Sequence, residues 1–381
     1  MKGWHLMTAR QRLMAALSGE SSDRVPIWLL FPYHTTGYYV DVRTLPAYRP
    51  VFEASKRHAI MLNRRNLGVP LHTEEVTQHG ETVTEGDQTV QRRVWTHKGR
   101  RLVSEVRQGL GGTEVRKFLR SDEDLDLYCS LPVLRDRARI EKALEGQMAQ
   151  YRRERAEFPA EYGAMMLDLG EPINGLYHDS SLEDYAIWSL THNDLVVDYL
   201  NCVMDRMRHI YRFCLERDLA DVYFMVGSEL ASPPLVSRAT FQQWIVPFAR
   251  ELIEMIHAHG KKVIQHYHGQ IREILPDFLT MAPDALHTIE APPVGNCTFT
   301  EAFDIVGDRI TLIGNIQYDD FRSLTPAQMA GAVRAVLDEC RGRRLILSPS
   351  AGPFDPDPPA RTIENYLAFM KAGWEYGEWR T

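Results

Sequence analysis

Val222-Tyr223-Phe224-Met225-Val226-Gly227-Ser228-Glu229 decides the fold. Five apolar, β-favouring residues stop abruptly at a glycine, a hydroxyl and a carboxylate, as a buried strand does where it opens onto a loop. A helical stripe follows, with Phe241, Trp244, Ile245, Phe248, Leu252 and Ile256 on one face, and Pro247 is expected to kink or break it. The same unit recurs on both sides. Ala164-Met165-Met166-Leu167 runs into Asp168-Leu169-Gly170-Glu171-Pro172. Downstream come Val263-Ile264-Gln265-His266, Ala285-Leu286-His287-Thr288-Ile289-Glu290, Ile310-Thr311-Leu312-Ile313-Gly314-Asn315 and Leu345-Ile346-Leu347-Ser348. Short apolar strands alternating with helices are parallel βα units. With Ile27-Trp28-Leu29-Leu30-Phe31 near the start, seven candidate strands predict a closed (β/α)8 TIM barrel rather than an open sheet.

Two regions lie outside that rhythm. Thr8 as N-cap, Leu13, Ala16 and Leu17 as a stripe, and Gly19 as a stop predict an N-terminal helix. From Glu74 to Arg107, short alternating runs punctuated by Gly80-Glu81, Gly86-Asp87 and Lys98-Gly99 predict an antiparallel meander with no helices between its strands. It reads as a small β insertion at 74–107 within a single barrel domain spanning 1–381. Leu119 to Asp124 then returns the chain to helix.

Composition bounds the partners. The 381 residues carry 44 Lys and Arg against 51 Asp and Glu, a net charge of −7, which argues against a nucleic-acid binder. The five cysteines, Cys129, Cys202, Cys214, Cys297 and Cys340, form no C-x-x-C clip and read as reduced thiols of a cytoplasmic protein. Met1 to His5 leads into no apolar signal core, and no uncharged apolar run reaches the roughly 18 residues of a membrane span. No Walker, G-x-G-x-x-G or G-x-S-x-G signature stands in a suitable context.

Barrel chemistry sits at strand C-termini. Here those ends carry Asp168 and Glu171, Glu229, His266 and His268, Glu290, Asn315 and Gln317, and Ser348 and Ser350. His266 and His268, two apart at a strand end, can share a face, with Glu290 arriving from the next strand. Two imidazoles and a carboxylate can hold zinc, iron or manganese; the plainer alternative is two polar residues at the rim. Glu229 is a candidate acid or base. Asp168 and Glu171 are candidates for acid/base work or substrate anchoring, against the alternative of solvated charges. Asn315 and Gln317 orient a substrate or cap the next helix. Tyr33, His34, Tyr38 and Tyr39 form a polar-tipped pocket lid or a packed aromatic loop. Cys297 reads as a small buried hydrophobe. Trp374, Tyr376 and Trp379 read as packing or as a contact in a homodimer.

These segments also carry a resemblance. Arg10-Gln11-Arg12 through Asp23-Arg24-Val25-Pro26-Ile27-Trp28, Gly260-Lys261-Lys262-Val263-Ile264-Gln265-His266-Tyr267-His268-Gly269, Gly314-Asn315-Ile316-Gln317, and Leu347-Ser348-Pro349-Ser350-Ala351-Gly352 with Glu364-Asn365-Tyr366 resemble the uroporphyrinogen decarboxylase superfamily. That superfamily includes the cobalamin-linked methyltransferases, which the meander also resembles. The resemblance implies a (β/α)8 barrel acting on a small molecule at its C-terminal face. It also implies a divalent metal, zinc foremost, and a corrinoid protein as partner. The family's zinc enzymes carry His-x-Cys-Gly, a later Glu and a late Cys. Here His266 matches the first His, and Glu290, 24 residues on, matches the Glu. His268 stands at the Cys position, and Ser348 or Ser350 stands near the late Cys. A nitrogen and oxygen ligand set is harder than a thiolate one and favours oxygen-centred chemistry over thiol activation. The decarboxylases bind their polycarboxylate substrate with an arginine-rich segment, but Phe31 to Tyr39 holds no arginine. The resemblance therefore points to methyl transfer or demethylation first, and to decarboxylation or another lyase reaction on a small carboxylated substrate second. A binding protein on the same fold is the third alternative.

Overall fold

In a computed structural model, which describes residues 6–37 and 39–378, seven parallel strands form one curled sheet. They are β1 (Met61–Asn66), β6 (Gly163–Asp168), β7 (Val222–Val226), β8 (Lys262–His266), β9 (Ala285–His287), β10 (Thr311–Ile316) and β11 (Leu345–Pro349), hydrogen-bonded in that order. The eighth position is held by a very short segment. Ile27 bridges Leu347 and Trp28 bridges Ile60, both in parallel. The Trp28 N–H donates to the Leu347 carbonyl (2.9 Å) and the Ile60 N–H to the Ile27 carbonyl (2.7 Å). The ring is thereby closed into the expected (β/α)8 barrel. The strand expected over Ile27 to Phe31 pairs only at Ile27 and Trp28.

β1 was not among the sequence candidates, because Met61-Leu62-Asn63-Arg64-Arg65-Asn66 becomes polar after two residues. Its alternation is nevertheless that of a barrel strand. Ile60 and Leu62 share the barrel interior with Trp28, Met166, Phe224, Ile264, Ile313 and Ile346, a cluster separate from the outer core. Helix Ala9–Ser18 closes the base of this interior. Leu13, Ala16 and Leu17 join its cluster, and the Thr311 hydroxyl donates to the Ala16 carbonyl at 2.6 Å. That helix starts at Thr8 with a capping box to Gln11 and stops at Gly19, whose φ of 71° is the left-handed conformation that glycine adopts without strain.

The outer layer follows the sequence reading. The stripe beginning at Phe241 is split into helices Arg238–Trp244 and Val246–Ala258, with Pro247 in the first turn of the second. The antiparallel sheet extends beyond the expected 74–107 stretch. It comprises β2 (Thr77–Glu85), β3 (Gln88–His97), β4 (Arg100–Gly109) and β5 (Gly112–Arg116), in that order. The last hairpin turns at Gly109 to Gly112. Trp95 anchors the sheet to the barrel by stacking on Phe118, with centroids 4.3 Å apart, and on Tyr128 at 5.9 Å. Among the described residues no helix is long and apolar enough to cross a membrane.

Candidate functional site

Period-two alternation delivers the polar ring. One position beyond the apolar interior, the strands point Arg64, Asp168, His266, His287, Asn315 and Ser348 inward at the C-terminal end. Trp28 and Phe224 lie beneath. The Trp28 ring sits 5.6 Å from His287, and Phe224 sits 5.4 Å from His266 and 5.0 Å from the Arg64 guanidinium.

A chain of hydrogen bonds fixes the histidines. His287 Nε2 lies 3.2 Å from the Pro349 carbonyl, which can only accept, so Nε2 bears the proton. His287 Nδ1 is then a lone pair, and His266 Nδ1, 2.6 Å away, must donate to it. It follows that His266 is held as the tautomer whose Nε2 is bare, and no described residue occupies that nitrogen. Burial, followed by the neighbouring His287, His268 and Arg64, pushes the His266 pKa well below the usual imidazole range. Burial likewise lowers His287 to about 3. Both rings are neutral at pH 7.

His268 differs from them. It is exposed at the rim, with its ring perpendicular to His266 at 4.5 Å and its Nδ1 3.4 Å from Glu290 Oε2. What burial it has opposes protonation, but the hydrogen bond and charge of Glu290, with Glu229 behind, outweigh that and raise its pKa. Glu290 is buried. Burial pushes its carboxyl up, but His268, the Gly269 N–H (2.7 Å) and the Gln317 side chain together hold it below the usual carboxylate range. Ser350 steadies Gln317 at 3.2 Å and accepts the Tyr318 N–H at 3.1 Å.

Across the opening, Asp168 is buried and paired with Arg64 through Nε (3.1 Å) and Nη2. Glu229 accepts the Gly227 N–H at 2.9 Å, and burial raises its pKa. Glu171 is 4% exposed and raised to about 8 by burial, with Glu229 and Asp168 reinforcing the shift and Ser228 opposing part of it.

The structure therefore brings Glu229, His266, His268, Glu290, Asp168, Gln317 and Ser350 to one end of the barrel, with Asn315 on the same ring. Tyr33 and His34 are directed elsewhere. Asn63 points outward from β1 and bonds His34 through its side chain at 3.1 Å, while His34 Nε2 reaches Glu157 at 3.1 Å. Tyr33 packs on Phe52 and Phe158 beneath Arg43. The packed-loop alternative holds for these two; Tyr38 and Trp379 lie outside the described residues. Cys297 is fully buried, as expected. Sequence reasoning missed His287 and Arg64, whose signal was the inward register of their strands.

The expected ligands His266, His268 and Glu290 stand together at the opening, each engaged in hydrogen bonds or ion pairs, and His266 Nε2 stays open. Glu290 Oε2 is committed to Gly269 and His268, His266 Nδ1 to His287, and the Ser348 hydroxyl to the Pro349 carbonyl at 3.0 Å. Among the described residues no group of three or more His, Cys, Asp or Glu is arranged to hold a metal ion. The three residues meet as one hydrogen-bonded cluster.

A closed parallel barrel with its polar ring at the strand C-termini places the chain among the (β/α)8-barrel proteins. The family model described as uroporphyrinogen decarboxylase (URO-D) matches residues 179–376, just over half of the sequence, and the chain belongs to that family. No curated protein matches the chain. Among solved structures, a methyltransferase from Methanosarcina mazei is similar with a TM-score of 0.58 and 17% identity, over 97% of this chain and 99% of that one. A B12-independent methionine synthase from Shewanella sp. W3-18-1, in complex with selenomethionine, aligns with a TM-score of 0.45 and 11% identity over 92% and 97%. At such identities the likeness is one of fold.

Proposed function

We propose that this chain removes a methyl group from an oxygen of a small molecule. The observation that carries the reading is the His268–Glu290 pair standing beside an imidazole of fixed tautomer. An ether oxygen is a poor leaving group until it is protonated as its bond to carbon breaks. His268, charged against Glu290 and open to the rim, supplies that proton. His266 Nε2 accepts a hydrogen bond from a hydroxyl or amine of the substrate and fixes its orientation. The methyl group leaves to an acceptor outside this chain, a corrinoid on a partner protein or a thiol. The oxygen keeps the bonding electrons and gains the proton. The fold shared with a methyltransferase supports the same direction.

Decarboxylation is the second reading, favoured by the family match and by Arg64 at the ring. Asp168 already occupies that guanidinium, so a substrate carboxylate would have to displace it. The test is incubation with a panel of methoxybenzoates and cob(I)alamin as acceptor, followed by product analysis. The expected result is a demethylated product and a methylated acceptor with the parent chain, at a rate greatly reduced in His268→Ala. Carbon dioxide release without methyl transfer would replace this reading with the second. Binding without turnover of either kind would favour a non-catalytic role.

A further inference from the structure

The antiparallel sheet ends on β5, and that edge is uncovered among the described residues: every residue of Gly112–Arg116 is exposed. Its hairpin closes at the Gly109 and Gly112 pair, and the hydrogen-bonded pairs of an antiparallel ladder recur at every second residue. Glu114 and Arg116, opposite Arg107 and Glu105, therefore spend their backbone groups on β4. Thr113 and Val115 turn their N–H and C=O groups outward, an unpaired edge of the kind that takes up another strand. Val115 is 54% exposed, and Leu110 at the tip of the same hairpin is 95% exposed.

On one face of the sheet the side chains alternate in sign. Glu81 stands opposite Arg92, Arg92 opposite Glu105, and Glu105 opposite Arg116. Arg92 holds this row together, meeting Glu81 at 2.8 Å and Glu105 at 2.6 Å. The row loosens at the edge, where Arg116 reaches Glu105 only at 3.8 Å. In the adjoining row Arg107 stands opposite Glu114, yet it turns to Glu85 (2.8 Å) and Glu105 (3.2 Å) instead. Glu114 is left without an ion pair among the described residues. The edge thus presents one unmatched carboxylate and one loosely held guanidinium, two residues apart on the same face.

We propose that β5 is the interface of a homodimer, pairing antiparallel with β5 of a second copy about a twofold axis at Val115. The outward N–H of Val115 in each copy donates to the Val115 carbonyl of the other. In this register Glu114 of each copy lies opposite Arg116 of the other. The row then runs Glu81, Arg92, Glu105 and Arg116 in one copy and on to Glu114 and Arg107 in the other, with opposite signs at every step. On the reverse face the two Val115 side chains meet and join the Val106–Val115 pairs of both copies into one apolar row. The neighbouring twofold registers set Glu114 against Glu114 or Arg116 against Arg116, so charge selects this one. The opposite edge, β2, offers no such match. Its carboxylates, Glu81 and Glu85, are held by Arg92 and Arg107, and it carries no Lys or Arg. Identical patches meeting about a twofold close the assembly at two copies. Two short strands bury less than the roughly 1,200 Å² of a lasting interface, so the dimer forms and separates with concentration.

The test is sedimentation velocity of the full chain over a wide range of concentration. The parent is expected to pass from monomer to dimer as concentration rises. Glu114→Arg alone, or Arg116→Glu alone, turns both cross-strand pairs into like-charge pairs and should weaken the dimer about tenfold. Mixing the two variants restores opposite signs at both pairs, so the mixture should dimerise as the parent does, and so should the double variant. Val115→Pro removes the outward N–H without touching the β4 ladder, and should leave the chain folded and monomeric. Hydrogen exchange at Thr113 and Val115 should slow as concentration rises, while exchange along β2 stays constant. A parent that is monomeric at every concentration, or a dimer that the single charge reversals leave intact, overturns the proposal. Concentration-dependent protection at β2 instead of β5 overturns it as well.

Discussion

The tops of β8 and β9 and the chamber behind β6 and β7 are neighbours, yet they treat polar atoms in opposite ways. On the histidine side the bonds are closed: Pro349 to His287, His287 to His266, Gly269 and His268 to Glu290, Ser350 to Gln317. On the glutamate side Glu171, Ser228, Tyr267 and Tyr185 each keep a buried oxygen without a hydrogen-bond partner among the described residues. Closed bonds fix orientation and tautomer, which a reacting group needs. Open ones leave a group's protonation to be set by its burial and its neighbours' charges. The contrast teaches that burial alone does not assign a role; what the buried atom is bonded to does.

The largest effect that can break this contrast is the loss of His266. His266→Ala is expected to reduce kcat/KM about 10²–10⁴-fold, the usual range for a group engaged in proton transfer or its alignment. The thermal midpoint should stay within a few degrees of the parent, because the ring borders the opening. A large loss of stability with little loss of rate would make His266 structural. His287→Leu comes next and should show the reverse balance. It strips a buried acceptor from His266 Nδ1 and a donor from the Pro349 carbonyl, at about 1–3 kcal/mol for each group left unpaired. The expected outcome is a clearly lowered midpoint in chemical or thermal unfolding, together with a slower enzyme.

The glutamate side gives a pH signature of opposite sign. Glu171 has a folded pKa above its unfolded one, so the stability it contributes is complete below about pH 4.5 and drains away as pH rises toward 8. His287, lowered to about 3, contributes stability that is complete above its unfolded pKa near 6.5 and is lost as pH falls. Glu171→Gln should therefore flatten the stability curve between pH 5 and 8, by up to about 1.4 kcal/mol per pH unit, and leave the acid limb in place. Unfolding midpoints measured across that window check it. An unchanged slope would mean that Glu171 is not held neutral.

The smallest effects sharpen the comparison most finely. Ser228→Ala removes a hydroxyl that lies near Glu171 and Tyr267 without a well-formed hydrogen bond to either, and should change stability by no more than about 0.5 kcal/mol. Ser350→Ala removes one that bonds both Gln317 and the Tyr318 N–H, and should cost about 1–3 kcal/mol. Equal losses for the two serines would erase the distinction between the two sides.

Much of this was legible in residue patterns, and the failures have physical causes. Apolar runs ending in polar residues marked the barrel and placed Asp168, Glu229, His266, His268 and Glu290 at the C-terminal ends of its strands. β1 escaped notice because two of its polar side chains find partners that only folding brings together: Arg64 meets Asp168 and Asn63 meets His34. His287 lay in a segment read as a strand, but a histidine there looks like packing until His266 is seen 2.6 Å away. Tyr33 and His34 fitted a lid by composition, yet the chain turns them to the outside of β1, which periodicity cannot foretell once a strand ends. The metal expectation came from residue types at family positions. The hydrogen bonds that orient those residues, His266 to His287 and Gly269 to Glu290, appear only in the fold.

The most direct measurement is the 15N NMR spectrum of the chain labelled at histidine nitrogens, with His266 assigned by its loss in His266→Ala. At pH 7 the expected spectrum shows His266 neutral, with the proton on Nδ1 and Nε2 bare, coupled to a neutral His287 that is protonated on Nε2. A His266 ring protonated on Nε2, or on both nitrogens, would mean that the Pro349–His287–His266 chain does not set the tautomer, and the site as described would fall with it.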